Sequence, residues 1–517
     1  MDLKHIEINN EFKKAYDLAE NSTESLLVAG RAGTGKSTFL EYFRSKTKKK
    51  IVVLAPTGVA AVNVGGQTIH SFFGFKPDIT PEQAIRNANN AKKKKREKLY
   101  QSIDTIVIDE VSMVRADLMD CIDTFLRTIR AKRSMAFGGV QLLLVGDLYQ
   151  LPPVVTWHEK ELFSDHYKSP YFFDSHVFAD VSLEYIELEK VYRQSDSNFI
   201  HMLNAVRNNS ITKDVISAFN SRFDPNFEPH GQYIYLTAVN RRAFEINVEK
   251  LSQLPSRGRT FYGDVVGDFD TKALPTEVGL KLKKGAQVML LNNDRLGRWV
   301  NGTIGTISSL EQDGVSVKFP DGSIEEIEPF TWEMYRYQYD NKKKVVATES
   351  VGSFMQYPLK LAWAITIHKS QGKTFDHVVI DVGKGTFATG QMYVALSRCR
   401  TLEGIVLKRE LQKSHIWVDW RVVKFVTEHQ YNISERELPI EEKLKVLLKC
   451  IDEKKRVEIV YLKSKDEKSK RLIEPIKVGK MFYLEKPFIG ISAYCHNRKE
   501  QRTFRVDRIL EMKVVGG

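Results

Sequence analysis

Lys36 and Ser37 close a run of Gly30, Arg31, Ala32, Gly33, Thr34 and Gly35, with Thr38 next in line. Glycines at 30, 33 and 35 let the backbone take conformations that a Cβ forbids, so successive N–H groups can turn inward around an oxyanion at a helix N-terminus. Lys36 then reaches β- and γ-phosphates as a point charge, and the Ser37 hydroxyl ligates Mg²⁺. Gly30, Ala32, Gly33, Thr34, Gly35, Lys36, Ser37 and Thr38 are therefore the expected binding set for a nucleoside triphosphate. The chemistry such a loop lacks stands in TIVIDE, where Asp109 can hold the Mg²⁺ through water and Glu110 can orient or deprotonate an attacking water. Gln150 adds a neutral amide that can sense the γ-phosphate and the lytic water without competing for the metal; Pro152 and Pro153 stiffen the turn beyond it.

These groups need a scaffold of buried strands. Leu26–Gly30 reads as one, with a helix from Lys36; Ile51–Pro56, Thr105–Glu110 and Gln141–Asp147 are three more apolar runs, and Ala116–Ile129 is an amphipathic helix. Loops after parallel strands gather at the carboxyl edge, beside the nucleotide. Thr57, Thr68, His70 and Ser71 are accordingly expected to bond a phosphodiester backbone, and Phe72 or Phe73 to stack on a base. Between two strands, residues 76–101 carry KPDITPEQ and AKKKKREK, read as a small basic helical insertion projecting from the sheet. Tyr233–Asn240 opens a second sheet, with Thr237 and Asn240 as candidate backbone ligands. From 279 to 358 the texture changes to alternating residues with Gly and Pro-Asp-Gly turns, a small β-barrel insertion. Leu361–Lys373 returns to the sheet; Gly372 and Lys373 are expected near the phosphates.

The 517 residues allow several domains, and 42% hydrophobic with 28% charged content is ordinary for a globular chain. A net charge of +13 points to a polyanionic partner. Of this, +8 lies in 440–517, where 20 Lys and Arg face 12 Asp and Glu. Cys121, Cys399, Cys450 and Cys495 form no CxxC pair, which reads as reduced and cytoplasmic with no metal site. The opening MDLKHIEINNEF has no apolar leader, and no run spans a bilayer, so membrane insertion is not expected.

GRAGTGKST, APTGVAA with TIHSFFG, IDEVSMV, FGGVQLLLVGDLYQLPPV, LEKVYRQ, WAITIHKSQGKTFD and YVALSRCR follow one another over residues 26–407. In this order they resemble superfamily 1 DNA helicases, most closely the petite-integration-frequency (PIF) family of 5′-to-3′ helicases, with RecD-type helicases as near relatives. The resemblance implies an α/β fold of two RecA-like parallel-sheet domains, at 1–185 and 186–430. It implies an ATP- and Mg²⁺-dependent enzyme, a monomer acting on single-stranded and forked DNA, with quadruplex or RNA–DNA hybrid as further substrates. Arg193 in LEKVYRQ is a bidentate cation suited to a γ-phosphate, and Arg398 in YVALSRCR resembles the family's second arginine finger; both are expected on a different domain from Lys36. The resemblance further implies that His368, Lys369, Ser370 and Gln371 couple nucleotide state to the grip on DNA and that the barrel lies beside the single strand; from its position and charge, 76–101 is the candidate wedge at the duplex junction. Phe12 stands where the family's adenine-reading Gln would be, so discrimination between ATP and other triphosphates should be weak. Residues 431–442 read as a linker, and 440–517 resembles a WYL domain with basic positions at Arg471, Arg502, Arg505 and Arg508, although Ile489-Gly490-Ile491 replaces Trp-Tyr-Leu. A DNA-binding regulator whose ATPase is a switch is the competing reading; it needs no pair of arginine sensors.

Overall fold

The computed structural model describes residues 7–515 apart from 156–158, 180, 230, 272–273, 312–313, 384, 386–387, 464–465 and 484–485. The leader reading for residues 1–6 lies outside this range. The chain divides into two compact units, Met1–Leu203 with Thr212–Trp417, and Asn204–Ile211 with Val418–Gly517.

In the first unit, β1 (Ser25–Gly30), β2 (Ile51–Ala55), β3 (Gln67–Thr68), β4 (Thr105–Ile108), β5 (Gln141–Gly146) and β6 (Leu183–Leu188) form one sheet in the order β3-β2-β4-β5-β1-β6. Every pairing in it is parallel. β1 and β5 are buried along their whole length, as strands covered on both faces must be, and this is why they read as unbroken apolar runs. α1 (Asn10–Asn21) and α2 (Lys36–Lys46) bury Phe12, Ala15 and Ala19 with Phe39, Leu40 and Phe43 over Leu26 and Val28. Because β6 pairs with β1 up to Leu188, the first sheet runs past the expected boundary at 185.

α3 (Gly58–Asn63) and α4 (Ile69–Phe73) follow β2 and β3. The insertion is helical as expected, with α5 (Pro81–Lys93) and α6 (Glu97–Ser102). Thr80 and Gln83 form a capping box with Pro81 at the first helical position. α5 does not project: Ala84, Ala88 and Ala91 are buried and lie against α7 (Ala116–Ile129), and Lys92 Nζ donates to Thr128 O at 2.8 Å. Alanines at this spacing let two helices approach closely.

After α8 (Lys160–His166), α9 (Ser197–Arg207) and α10 (Lys213–Asn220) comes β7 (Ile234–Thr237), then α11 (Asn240–Gln253). An antiparallel insertion begins at β8 (Arg259–Tyr262), earlier than expected, and continues through β9 (Asp264–Gly267), β10 (Gly279–Leu282), β11 (Gln287–Leu290), β12 (Ile304–Leu310), β13 (Val315–Lys318), β14 (Ile324–Ile327), β15 (Phe330–Asp340), β16 (Val345–Gln356) and β17 (Leu359–Leu361). Its three pieces are ordered β14-β13-β12-β11-β17, β10-β8 and β15-β16-β9. The β15–β16 hairpin reaches the first sheet. β3 is too short to cover the edge of β2, and Tyr337 there accepts the Val53 N–H on its hydroxyl at 2.9 Å. β18 (Ala364–Thr366), β19 (Val378–Asp381) and β20 (Ile405–Leu407) complete a second parallel sheet, β18-β7-β19-β20, with α12 (Gln391–Leu396) before its last strand.

The second unit holds α13 (Trp420–Glu437), α14 (Ile440–Asp452) and the antiparallel sheet β24-β23-β22-β21-β25, made of β21 (Arg456–Leu462), β22 (Lys468–Tyr483), β23 (Lys486–Cys495), β24 (Glu500–Arg505) and β25 (Ile509–Val515). The expected linker is instead helical: α13 buries Val422, Val426, Gln430 and Ser434 at every fourth position, and Pro439 then separates it from α14. Leu447 and Cys450 of α14 pack on Val457, Ile459, Ile473 and Ile491. All four cysteines are free and buried. Among the described residues no helix is long and apolar enough to cross a membrane.

Arg207 and Asp466, both in the second unit, face each other at 3.6 Å with side chains 3% and 2% exposed, and Asn208 Nδ2 donates to Asp466 O at 2.8 Å. Removing one member of a buried pair leaves an uncompensated charge worth about 3–5 kcal/mol. Asp466 has φ +53, which asparagine also tolerates. Asp466→Asn is therefore expected to lower the unfolding free energy of this unit by that amount, read by denaturant titration; an unchanged unfolding free energy would show that the pair contributes nothing.

Candidate nucleotide site and nucleic-acid face

A cavity of about 800 Å³ is lined by Ala32 through Thr38, Glu110, Gln150, Arg193, Gly372 and Arg398. The expected nucleotide loop and both arginines thus meet in one place. At Gly33 the loop is tight: φ is +83, and a Cβ there would lie 2.5 Å from Arg193 Cβ. Glycine is required both by conformation and by the side chain overhead. Lys36 Nζ donates to Gly30 O at 2.8 Å and Arg31 O at 2.9 Å, and Thr34 Oγ1 donates to Arg31 O at 2.9 Å. Ser37 is exposed and lines the cavity.

Burial dominates the electrostatics. It pushes the Lys36 ammonium below its ordinary range against the pull of Asp147, Glu110 and Asp109. Asp109 is raised by burial, and Glu110 is pushed up to about 7 by burial and by Asp109 beside it. Glu110 has φ +51, a strained conformation for a residue with a side chain, and its carboxylate accepts from Gln371 Nε2 at 2.8 Å. Gln371 comes from the loop after β18, so the second sheet holds the carboxylate that would activate water.

The arginines are held by backbone carbonyls. Arg193 donates to Ser397 O and Gly372 O, both at 3.3 Å; Arg398 donates to Val394 O at 2.9 Å, Lys373 O at 3.2 Å and Ser370 O at 3.4 Å. Burial lowers both guanidinium groups, to about 10 and about 9. Arg193 corrects one expectation. It directly follows β6, and the Tyr192 N–H donates to Gly33 O at 2.8 Å, so its backbone belongs with Lys36's sheet and only its guanidinium reaches the second.

Other expected ligands are used differently. Lys373 Nζ turns to Asn301 Oδ1 at 2.6 Å, toward the barrel rather than the cavity. Phe72 is fully buried, edge-on to Phe73 and Tyr100, and Phe73 is core as well, so neither stacks on a base. Thr237 and Ser370 are 0% exposed, with hydroxyls spent on Val239 O and Ile367 O. Burial lowers His368, while Lys369 is exposed. Thr57 and Thr68 cap α3 and α4, accepting from Ala60 and Ser71 N–H at 3.2 Å; Ser71 Oγ accepts from Gln67 Nε2 at 2.8 Å. As acceptors these three hydroxyls keep their own proton to donate. Burial lowers His70, which lies near Asp117 and Arg115. Pro152 is half-buried in the turn after Gln150. Asn240 is exposed at the start of α11, and one turn on, Phe244 is 65% exposed, an aromatic the sequence reading passed over. In the second unit Arg471 is buried, Arg505 pairs with Asp507 and Arg502 with Glu500.

Phe12 lines the cavity but is 6% exposed, its ring packed edge-on against Phe39 and Tyr42 at 5.3 and 5.4 Å. Asn9, Tyr192, Thr374 and Arg400 also line the cavity and were not singled out from sequence.

Two parallel sheets contributing to one phosphate-binding cavity, with an antiparallel insertion in the second, define a P-loop NTPase with two RecA-like lobes. A family model described as PIF1-like helicase matches residues 7–216, a UvrD-like helicase C-terminal domain matches 361–406, and a WYL domain matches 442–514. The chain is 31% identical over 441 residues to the ATP-dependent DNA helicase Pif1 of Bdellovibrio bacteriovorus, covering 82% of this chain and 93% of that one. It is 35% identical over 396 residues to ATP-dependent DNA helicase PIF1 of Danio rerio, covering 74% of this chain and 58% of that one, so it spans little more than half of that relative. The crystal structure of Bacteroides sp. Pif1 in complex with ADP-AlF4 superposes with a TM-score of 0.76 at 36% identity, over 83% of this chain and 98% of that one. The chain belongs to the PIF1-like helicase family.

With Phe12 in the core, nothing at that position reads a base edge. GTP turnover is expected within about tenfold of ATP turnover; a preference of the ~10⁴ order that buried hydrogen-bonded recognition yields would contradict this.

Proposed function

We propose that the chain is an ATP-dependent DNA helicase that moves 5′ to 3′ on single-stranded DNA and separates the duplex ahead, with quadruplex and RNA–DNA hybrid as further substrates. The observation that carries this is the convergence of Lys36, Glu110, Arg193 and Arg398 on one cavity whose walls come from both sheets. A regulator using ATP only as a switch would not need both lobes to grip the phosphates. The relatives' names support the activity, and Bacteroides Pif1 has been seen bound to single-stranded DNA.

In this reading the loop N–H groups and Lys36 hold the phosphates. Ser37 and Asp109 would hold Mg²⁺, which would neutralise charge developing on the phosphates. The residues fit that ion: a hydroxyl and a carboxylate are hard oxygen donors, and Mg²⁺ typically takes one or two carboxylates beside substrate phosphates. Glu110 accepts the proton of the attacking water, oriented by Gln371 and Gln150. Arg193 and Arg398 leave their carbonyl partners for the γ-phosphate, and closure of the lobes slides the second sheet along the strand. Thr57, Thr68, His70 and Ser71 bond the backbone from the first lobe; Asn240 and Lys369 do so from the second, where the exposed Phe244 offers a face for a base to stack on. One copy supplies every group around the cavity, so we infer that the monomer is the ATPase unit, although two Bacteroides copies coordinate at forked DNA. We place the enzyme in the cytoplasm, on the nucleoid if the host is bacterial.

The decisive test is strand displacement from 5′-tailed and 3′-tailed duplexes. Wild type is expected to unwind only the 5′-tailed substrate and Lys36→Ala neither; unwinding from the 3′ tail would reverse the assigned direction, and activity in Lys36→Ala would remove the cavity from the mechanism.

A further inference from the structure

Tyr393 lies on α12, five residues before Arg398, and is 4% exposed. Its hydroxyl accepts the Ala32 N–H of the nucleotide loop at 3.1 Å and donates to Asp147 Oδ2 at 3.2 Å. Asp147 is itself buried, accepts from Gln150 Nε2 at 3.3 Å, and is the strongest charged influence holding the Lys36 ammonium up. One oxygen from the second lobe therefore joins the loop, the carboxylate that steadies Lys36 and, through it, the Gln150 amide. The start of α12 is pressed on the same turn: Gly390 has φ +72, and a Cβ there would collide with Tyr149 O and Gln150 O.

Ala32 is one of the loop residues that line the cavity, so its N–H can serve either Tyr393 or a phosphate oxygen. The groups around the Tyr393 hydroxyl, Asp147, Arg193 and Arg398, mark this as the hydrolytic end of the cavity rather than the end where the base lies. We propose that Tyr393 is a positioning residue that distinguishes triphosphate from diphosphate. The terminal phosphate exchanges with the Tyr393 oxygen for the Ala32 N–H, and the released hydroxyl shifts Asp147 and α12 together, so that the arginine on the same segment registers the change. A diphosphate has no group to make that exchange. This rests on the cavity being the nucleotide site.

The test uses the full-length chain with Mg²⁺ and compares the affinity of a non-hydrolysable ATP analogue with that of ADP. Tyr393→Phe keeps the ring and removes only the competing oxygen, and its thermal midpoint checks folding. A single neutral hydrogen bond corresponds to roughly 3- to 10-fold in binding. The variant is expected to bind the triphosphate analogue tighter by that factor with ADP unchanged, so the triphosphate-to-diphosphate ratio rises. Its KM for ATP should fall together with kcat, because the second lobe no longer registers the exchange. Asp147→Asn, which also withdraws the carboxylate that steadies Lys36, is expected to weaken both nucleotides, and adding Tyr393→Phe to it should raise the triphosphate-to-diphosphate ratio less than Tyr393→Phe does alone. In Tyr393→Phe, equal changes for both nucleotides or no change for either, or additive effects in the double variant, would overturn the proposal. Absence of binding to wild type, or full binding to Lys36→Ala, would instead overturn the nucleotide site itself.

Discussion

The two parallel sheets are joined across the cavity by a few hydrogen bonds, and the remaining features of the site depend on them. Gln371 reaches Glu110, Tyr393 reaches Ala32 and Asp147, and Arg193 reaches Ser397 and Gly372. Each is an ordinary bond worth about 1 kcal/mol net, several of them to charged groups in a buried setting. A joint built this way can exchange partners without disturbing either hydrophobic core. The phosphate chemistry and the relative position of the lobes share the same donors and acceptors, so a change in one is necessarily a change in the other.

The proposed nucleic-acid face follows a complementary logic. Hydroxyls at helix starts, Thr57 and Thr68, are fixed by their capping bonds and keep their protons outward-capable, which gives a rigid row of donors on the first lobe. Phe72, Phe73, Tyr100 and Phe125 offer no stacking face beside them, because these rings are interlocked as the core beneath α4 and α7. An exposed ring, Phe244 on α11, belongs to the other lobe.

Much of this was legible in the residues. The glycine spacing before Lys36, the unbroken apolar runs of β1, β4 and β5, and the carboxylates closing TIVIDE each carry a local signal strong enough to place them. What escaped reading was decided by distant partners. Leu188 looks like the start of a new segment until β1 is found beside it. IHSFF is too short for periodicity to say which ring faces water. The stripe of α13 includes Gln430 and Ser434, polar residues that disguise a helix as a linker. Tyr393 and Ala32 are 361 residues apart, and no spacing rule connects them.

The β15–β16 hairpin adds a last point. Its root is in the insertion of the second lobe, and its Tyr337 is fastened to β2 of the first, so the two lobes are linked at the cavity and again at the hairpin. Two joints between the same two bodies make a closed circuit of chain. Any polymer enclosed by that circuit can leave only endwise, or sideways after one joint lets go, and the hairpin joint includes the Tyr337 hydroxyl, its ring edge-on to Phe72, Lys98 on Asn341, and Val62 packed against the cluster of Phe269, Trp332 and Phe354. Residence on a track would then be governed by how often this clasp opens, a rate separate from the rate of fuel consumption.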